Sequence, residues 1–105
     1  MQIDVLYFDE CPNHLPTLDR INAILRQEGC SAEVREVLVP SPEAAQQVKF
    51  LGSPTVRVNG IDIEPAAQDR NDFGLMCRRY VGGIPSDELI RTAIRCASSN
   101  GDGKR

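Results

Sequence analysis

Apolar and polar residues change their spacing several times along the chain, and each change marks an element. Gln2 to Phe8 is rich in β-branched and aromatic residues and ends at the polar pair Asp9-Glu10, which predicts a buried first strand. Beyond it the period becomes helical, with Leu15, Leu18, Ile21, Ile24 and Leu25 on one face and Asp19, Arg20, Arg26 and Gln27 on the other. Gly29 is the natural stop for this helix. Its start is set by one of two prolines. Pro12 suits the first helical position and is the preferred start, whereas Pro16 lacks an N–H and biases Leu15 away from helical angles.

Ala32 to Val39 alternates imperfectly and predicts a second strand, ended by Pro40. Ser41 as cap and Pro42 at the first helical position open a short helix through Ala44, Ala45, Val48 and Phe50. Thr55 to Val58 and Ile61 to Glu64 flank Asn59-Gly60, a pair that favours the positive φ angles of a two-residue hairpin turn, so these runs are adjacent antiparallel strands. Pro65 to Asp72 is polar and turn-like, and Phe73 to Val81 is ambiguous. After Gly82-Gly83, Ser86 caps a last helix with Leu89, Ile90, Ala93, Ile94 and Ala97 on one stripe. Residues 98–105 read as a disordered tail. The order β-α-β-α-β-β-α predicts an α/β fold: a mixed four-stranded sheet, its first two strands parallel, flanked by helices on both faces.

At 105 residues, the chain has room for one domain, taken here as residues 1–97. Hydrophobic residues at 41% and charged residues at 26% are ordinary globular values. A net charge of -3 and a pI of about 5.1 lack the basic footprint of a nucleic-acid or anionic-membrane binder. No basic leader and no apolar run long enough to span a bilayer stands near the start, so the expected location is cytoplasmic. No nucleic acid, membrane or cofactor is expected.

Four cysteines, Cys11, Cys30, Cys77 and Cys96, are the open feature. In a reducing compartment they are free thiols, and position decides which one is reactive. Cys11 opens the first helical region at the carboxyl end of a strand, where ligands of α/β sheets bind. Helix N-terminal amides would favour its thiolate, and His14, the only histidine, follows one turn later. Asp9 and Glu10 oppose thiolate formation if they point inward. Cys77 either packs with Phe73, Leu75, Met76 and Tyr80 or folds back over the same edge, where Arg78 and Arg79 would favour its thiolate, bind an anionic thiol substrate or stay on the surface. Cys30 and Cys96 are expected to be buried and quiet.

A strand followed by Cys11-Pro12-Asn13-His14, and Ser53-Pro54-Thr55 opening a hairpin strand, together resemble the thioredoxin-like superfamily, with the element order matching over residues 2 to 96. The resemblance implies that Cys11 is the nucleophile, that His14 takes the place of the second motif cysteine, and that Pro54 is a cis-proline against the reactive sulfur. Pro12, Asn13, Ser53, Pro54 and Thr55 would then bind substrate. With His14 in that place no local disulfide can form, which leaves exchange with a small-molecule thiol or a protein disulfide, or a pair between Cys11 and Cys77. Two other readings stay open. Cys11, His14 and Cys77 could bind a thiophilic metal or an organomercurial, or the fold could serve as a non-catalytic binding protein.

Overall fold

The computed structural model describes residues 1–9, 11–80 and 83–102; Glu10, Val81, Gly82 and 103–105, which the sequence reading assigned to the Cys11 loop, to the approach to the last helix and to a disordered tail, lie outside the described residues. Four strands, β1 (Gln2–Tyr7), β2 (Glu33–Leu38), β3 (Thr55–Val58) and β4 (Ile61–Asp62), form one mixed sheet in the order β2-β1-β3-β4. β1 and β2 are parallel, with Ile3 opposite Val34 and Leu6 opposite Val37. β3 runs antiparallel to β1, with Ile3 opposite Val58, and turns through Asn59-Gly60 into β4. Asn59 has φ 52 and Gly60 φ 84, the left-handed pair that the hairpin requires.

Strand alternation assigns the two faces. Ile3, Val5, Val56 and Val58 point one way and pack on Ile21, Ile24 and Leu25 of α1 (His14–Glu28) and on Ile90 and Ile94 of α3 (Asp87–Asp102). Leu6 points the other way and joins Val39, Ala45 and Phe50 beside α2 (Pro42–Gln47). The caps follow the sequence closely. Ser41 Oγ accepts from the Ala44 N–H, and Ser86 Oγ accepts from the Leu89 N–H. Gly29, at φ 65, closes α1 while the Cys30 N–H reaches back to the Leu25 carbonyl.

Several boundaries differ from expectation; α2, for one, ends at Gln47 rather than running through Val48 and Phe50. α1 begins at His14 rather than at Pro12 or Pro16. Pro16 is then the third helical residue, where an N–H has no intrahelical partner, so its missing donor costs nothing. The first helical bond runs from the Thr17 N–H to the Asn13 carbonyl, reinforced by Thr17 Oγ1 on the same oxygen at 2.7 Å. β4 ends at Asp62, whose Oδ1 accepts from the Glu64 N–H and turns the chain out of the ladder. The polar stretch after it contains a 3-10 helix at Pro65–Asp69. α3 continues past Ala97 to Asp102, and Ser98 contacts Cys30 of the preceding connection, Oγ to Sγ, at 3.5 Å. Among the described residues no helix is long and apolar enough to cross a membrane.

Candidate functional site

Cys11 lies in a turn between β1 and α1, half-buried, with its N–H on the Phe8 carbonyl and its own carbonyl accepting from the His14 N–H. It stands two residues before Asn13, which caps α1 without a side-chain bond to the helix. The helix therefore offers the sulfur little. Pro12 and Pro16 have no N–H, His14 and Thr17 donate to the turn itself, and only the Asn13 and Leu15 N–H groups of this turn are left.

For His14, contacts with Tyr7 and Glu36 are found, and no hydrogen bond to the Cys11 sulfur is found among the described residues. As the first residue of α1 it turns toward the sheet and stacks on Tyr7, ring centroids 3.7 Å apart and 10° from parallel. Its Nε2 is 2.8 Å from Glu36 Oε1, close enough for a charge contact, but no hydrogen bond is aligned there. The register explains the pairing, because Glu36 stands opposite Val5 on the face that α1 covers. Pro12 is exposed, and the Asn13 amide donates to the Gly83 carbonyl.

Across the site, Gly52 to Val56 are all buried and the Ser53–Pro54 peptide bond is cis. The segment after the 3-10 helix runs alongside this loop. Ser53 donates its N–H to the Met76 carbonyl and accepts from the Arg78 N–H, so that Ser53 and Cys77 form a parallel bridge. Gly52 has φ 116, and a Cβ there would sit 3.1 Å from both the Arg78 nitrogen and the Met76 oxygen, so only glycine admits this approach. Cys77 is exposed beside the Pro54 loop rather than packed into the core.

Arg78, expected to favour a thiolate or to lie on the surface, does neither. It is 4% exposed, and its guanidinium makes a two-nitrogen fork onto Asp62, with Nη1 and Nη2 at 2.6 and 2.9 Å. Nη2 also reaches Glu64 Oε1 at 2.6 Å, and Nη1 donates to Thr55 Oγ1. Burial by itself lowers its pKa, but the bonds from Asp62 and Glu64 outweigh that and hold it above the ordinary arginine value. Tyr80 lies under the guanidinium, 5.2 Å from carbon to ring centroid, and donates its hydroxyl to the Pro54 carbonyl at 2.8 Å. Burial raises the tyrosine pKa.

The substrate roles assigned to Ser53 and Thr55 meet a physical obstacle. Both are fully buried. Thr55 Oγ1 donates to the Gly52 carbonyl and accepts from Arg78, while Ser53 Oγ has no hydrogen-bond partner. Three hydrogen bonds through Tyr80 and Gly83 link the two halves of the site. Tyr80 holds the Pro54 loop, Gly83 donates its N–H to the Tyr80 carbonyl, and the Gly83 carbonyl accepts from Asn13 in the Cys11 turn.

The remaining cysteines divide differently from expectation. Cys30 is half-buried against the α1–α3 core, but Cys96 is exposed, because it lies two residues beyond Ile94 and so on the opposite side of α3. All four thiols are free. Among the described residues no three His, Cys, Asp or Glu side chains gather to hold a metal ion, so Cys11, His14 and Cys77 are not brought together as a ligand set. Beside the carboxyl ends of β1 and β2 lies a cavity of about 430 Å³, lined by Phe8, Leu38, Val39, Pro40 and Leu75 with Asp9 at its rim.

Sequence reading missed Gly52, Asp62, Glu64 and Tyr80 as parts of this site. Asp62 and Glu64 carry a faint signal, two carboxylates at strand spacing, but their partner lies 14 residues or more downstream in the chain. Comparisons with protein-family models, curated proteins and solved structures found no match to this chain.

Proposed function

We propose that the protein is a thioredoxin-like thiol protein in which Cys11 exchanges with a small-molecule or protein disulfide. The observation that supports the reading is a set of bonds between the two halves: Tyr80 donates to the Pro54 carbonyl, and Gly83 bonds both to Tyr80 and to Asn13 of the turn that holds the half-buried Cys11 at the carboxyl end of β1. In the exchange, the Cys11 thiolate attacks one sulfur of the disulfide, forms a mixed disulfide and expels the other sulfur as a thiolate. A thiol from solution then attacks the substrate sulfur of the mixed disulfide, forms a disulfide with it and expels Cys11 as the thiolate; if Cys77 attacks the Cys11 sulfur instead, a Cys11–Cys77 disulfide forms, the substrate leaves as a thiolate, and solution thiols must reduce the pair. This reading gives His14 no direct part, since its ring is stacked on Tyr7.

Exposure provides an internal control. Cys96 is the more accessible thiol, so accessibility alone would make it alkylate faster than Cys11. Alkylation of the four single Cys→Ser variants is followed from pH 6 to 9, with intact mass after incubation in oxidised glutathione. The expected result is that Cys11 alkylates faster than Cys96 near neutral pH and carries the glutathione adduct. Equal or slower alkylation of Cys11, with the adduct on Cys96, overturns the reading.

A further inference from the structure

On the sheet face that α2 covers, a cavity of about 470 Å³ opens beside the β3–β4 hairpin. Val48, Leu51, Ile61 and Phe73 supply apolar walls, and Lys49, Arg57, Asp62 and Arg70 supply charge. These charges differ in how far they are already satisfied. Both Asp62 oxygens are taken by Arg78, and Arg70 forms a two-bond pair with Asp72. Lys49 and Arg57 have no carboxylate in contact among the described residues.

Arg57 is half-buried and held in place. Its Nη2 donates to the Val48 and Lys49 carbonyls at 2.7 and 2.9 Å, at the end of α2. Nε and Nη1 have no partner among the described residues, and the residue lines the cavity. Burial lowers its pKa; Asp62 and Asp4, opposite it on the neighbouring strands, act against this without contact, and Arg78 adds to it. The same two bonds fasten the backbone of Lys49, which has φ 57, so the second cation springs from a fixed point. Ile61 is 58% exposed at the cavity, apolar area that an occupant would take out of water.

We propose that this cavity binds a small organic carboxylate with an apolar body. The carboxylate accepts a single charge-assisted hydrogen bond from an open N–H of Arg57 and pairs with the Lys49 ammonium. The body lies against Ile61 and Phe73, and the volume is that of an ordinary small-molecule site. Arg57 stands opposite Asp4 in the sheet, on the face away from the His14 ring, so the site does not depend on Cys11 chemistry.

The test is an NMR titration of the full chain, labelled with nitrogen-15, using octanoate, octan-1-ol and inorganic phosphate as separate probes. Octanoate is expected to shift the amides of Lys49, Ile61 and Phe73 together, with phosphate and octan-1-ol weaker. Lys49→Asn, which suits the left-handed backbone, and Arg57→Gln are each expected to weaken octanoate binding about tenfold. Ile61→Glu, at an exposed position, should do the same by repulsion and reads out even if Arg57→Gln fails to fold. Shifts that avoid these residues, affinities unchanged in Lys49→Asn and Ile61→Glu, or a stronger response to phosphate or octan-1-ol than to octanoate would each overturn the proposal.

Discussion

Arg78 shows how one side chain can hold a loop in place. Removing it leaves Asp62 and Glu64 facing each other in a partly dry pocket and takes the ceiling off Tyr80. Breaking a buried pair by deleting one partner generally costs about 3–5 kcal/mol. Glu64 keeps some access to water, which places Arg78→Met at the lower end, about 3 kcal/mol in urea unfolding, while Arg78→Lys recovers part of the charge but not the fork. A loss under about 1 kcal/mol for Arg78→Met would show that the network contributes little. The sequence reading placed Arg78 near the thiols because Cys77 is its neighbour. Strand alternation sends the two side chains to opposite sides of the Ser53 bridge, one exposed and one buried, and that bridge lies between segments whose pairing no local pattern encodes.

Among the elements, those with a strong period and a named cap were legible from the sequence. Ser41, Ser86, Gly29 and Asn59-Gly60 each do what their residue type predicts, because caps and tight turns are decided by neighbours a few residues away. The start of α1 was misjudged because two prolines and one asparagine compete within a short span, and the choice rests on where the Asn13 carbonyl finds donors. Placing Pro16 in the first turn has a measurable consequence. Pro16→Ala removes no clash and restores no hydrogen bond, so it should cost no more than about 1 kcal/mol, through the freer unfolded chain. A gain in stability of about 3 kcal/mol would mean that the proline interrupts a helix starting at Pro12. The same boundary explains why His14 could not be placed from spacing alone, since a shift of two residues rotates a helical side chain by more than half a turn.

At the scale of the whole molecule, the mixed four-stranded sheet, its parallel and hairpin pairs and its two covered faces were readable from hydrophobic patterning, whereas the β1–β3 pairing that joins the two halves was not. The segment from Phe73 to Tyr80 was not readable, because it joins the fold through backbone bonds and a buried charge. That mode of attachment separates covalent continuity from cohesion. Residues Pro65, Ala66 and 69–72 are exposed, and Arg70 offers trypsin a site there, whereas the chain just beyond is laced to Ser53, Asp62 and Pro54 and then to α1 through α3. Brief digestion under native conditions should therefore yield two peptides that travel as one species in size-exclusion chromatography and part only in denaturant. The protein would then be divisible, with a front piece carrying Cys11 and a back piece carrying Cys77 that could be made separately and allowed to find each other.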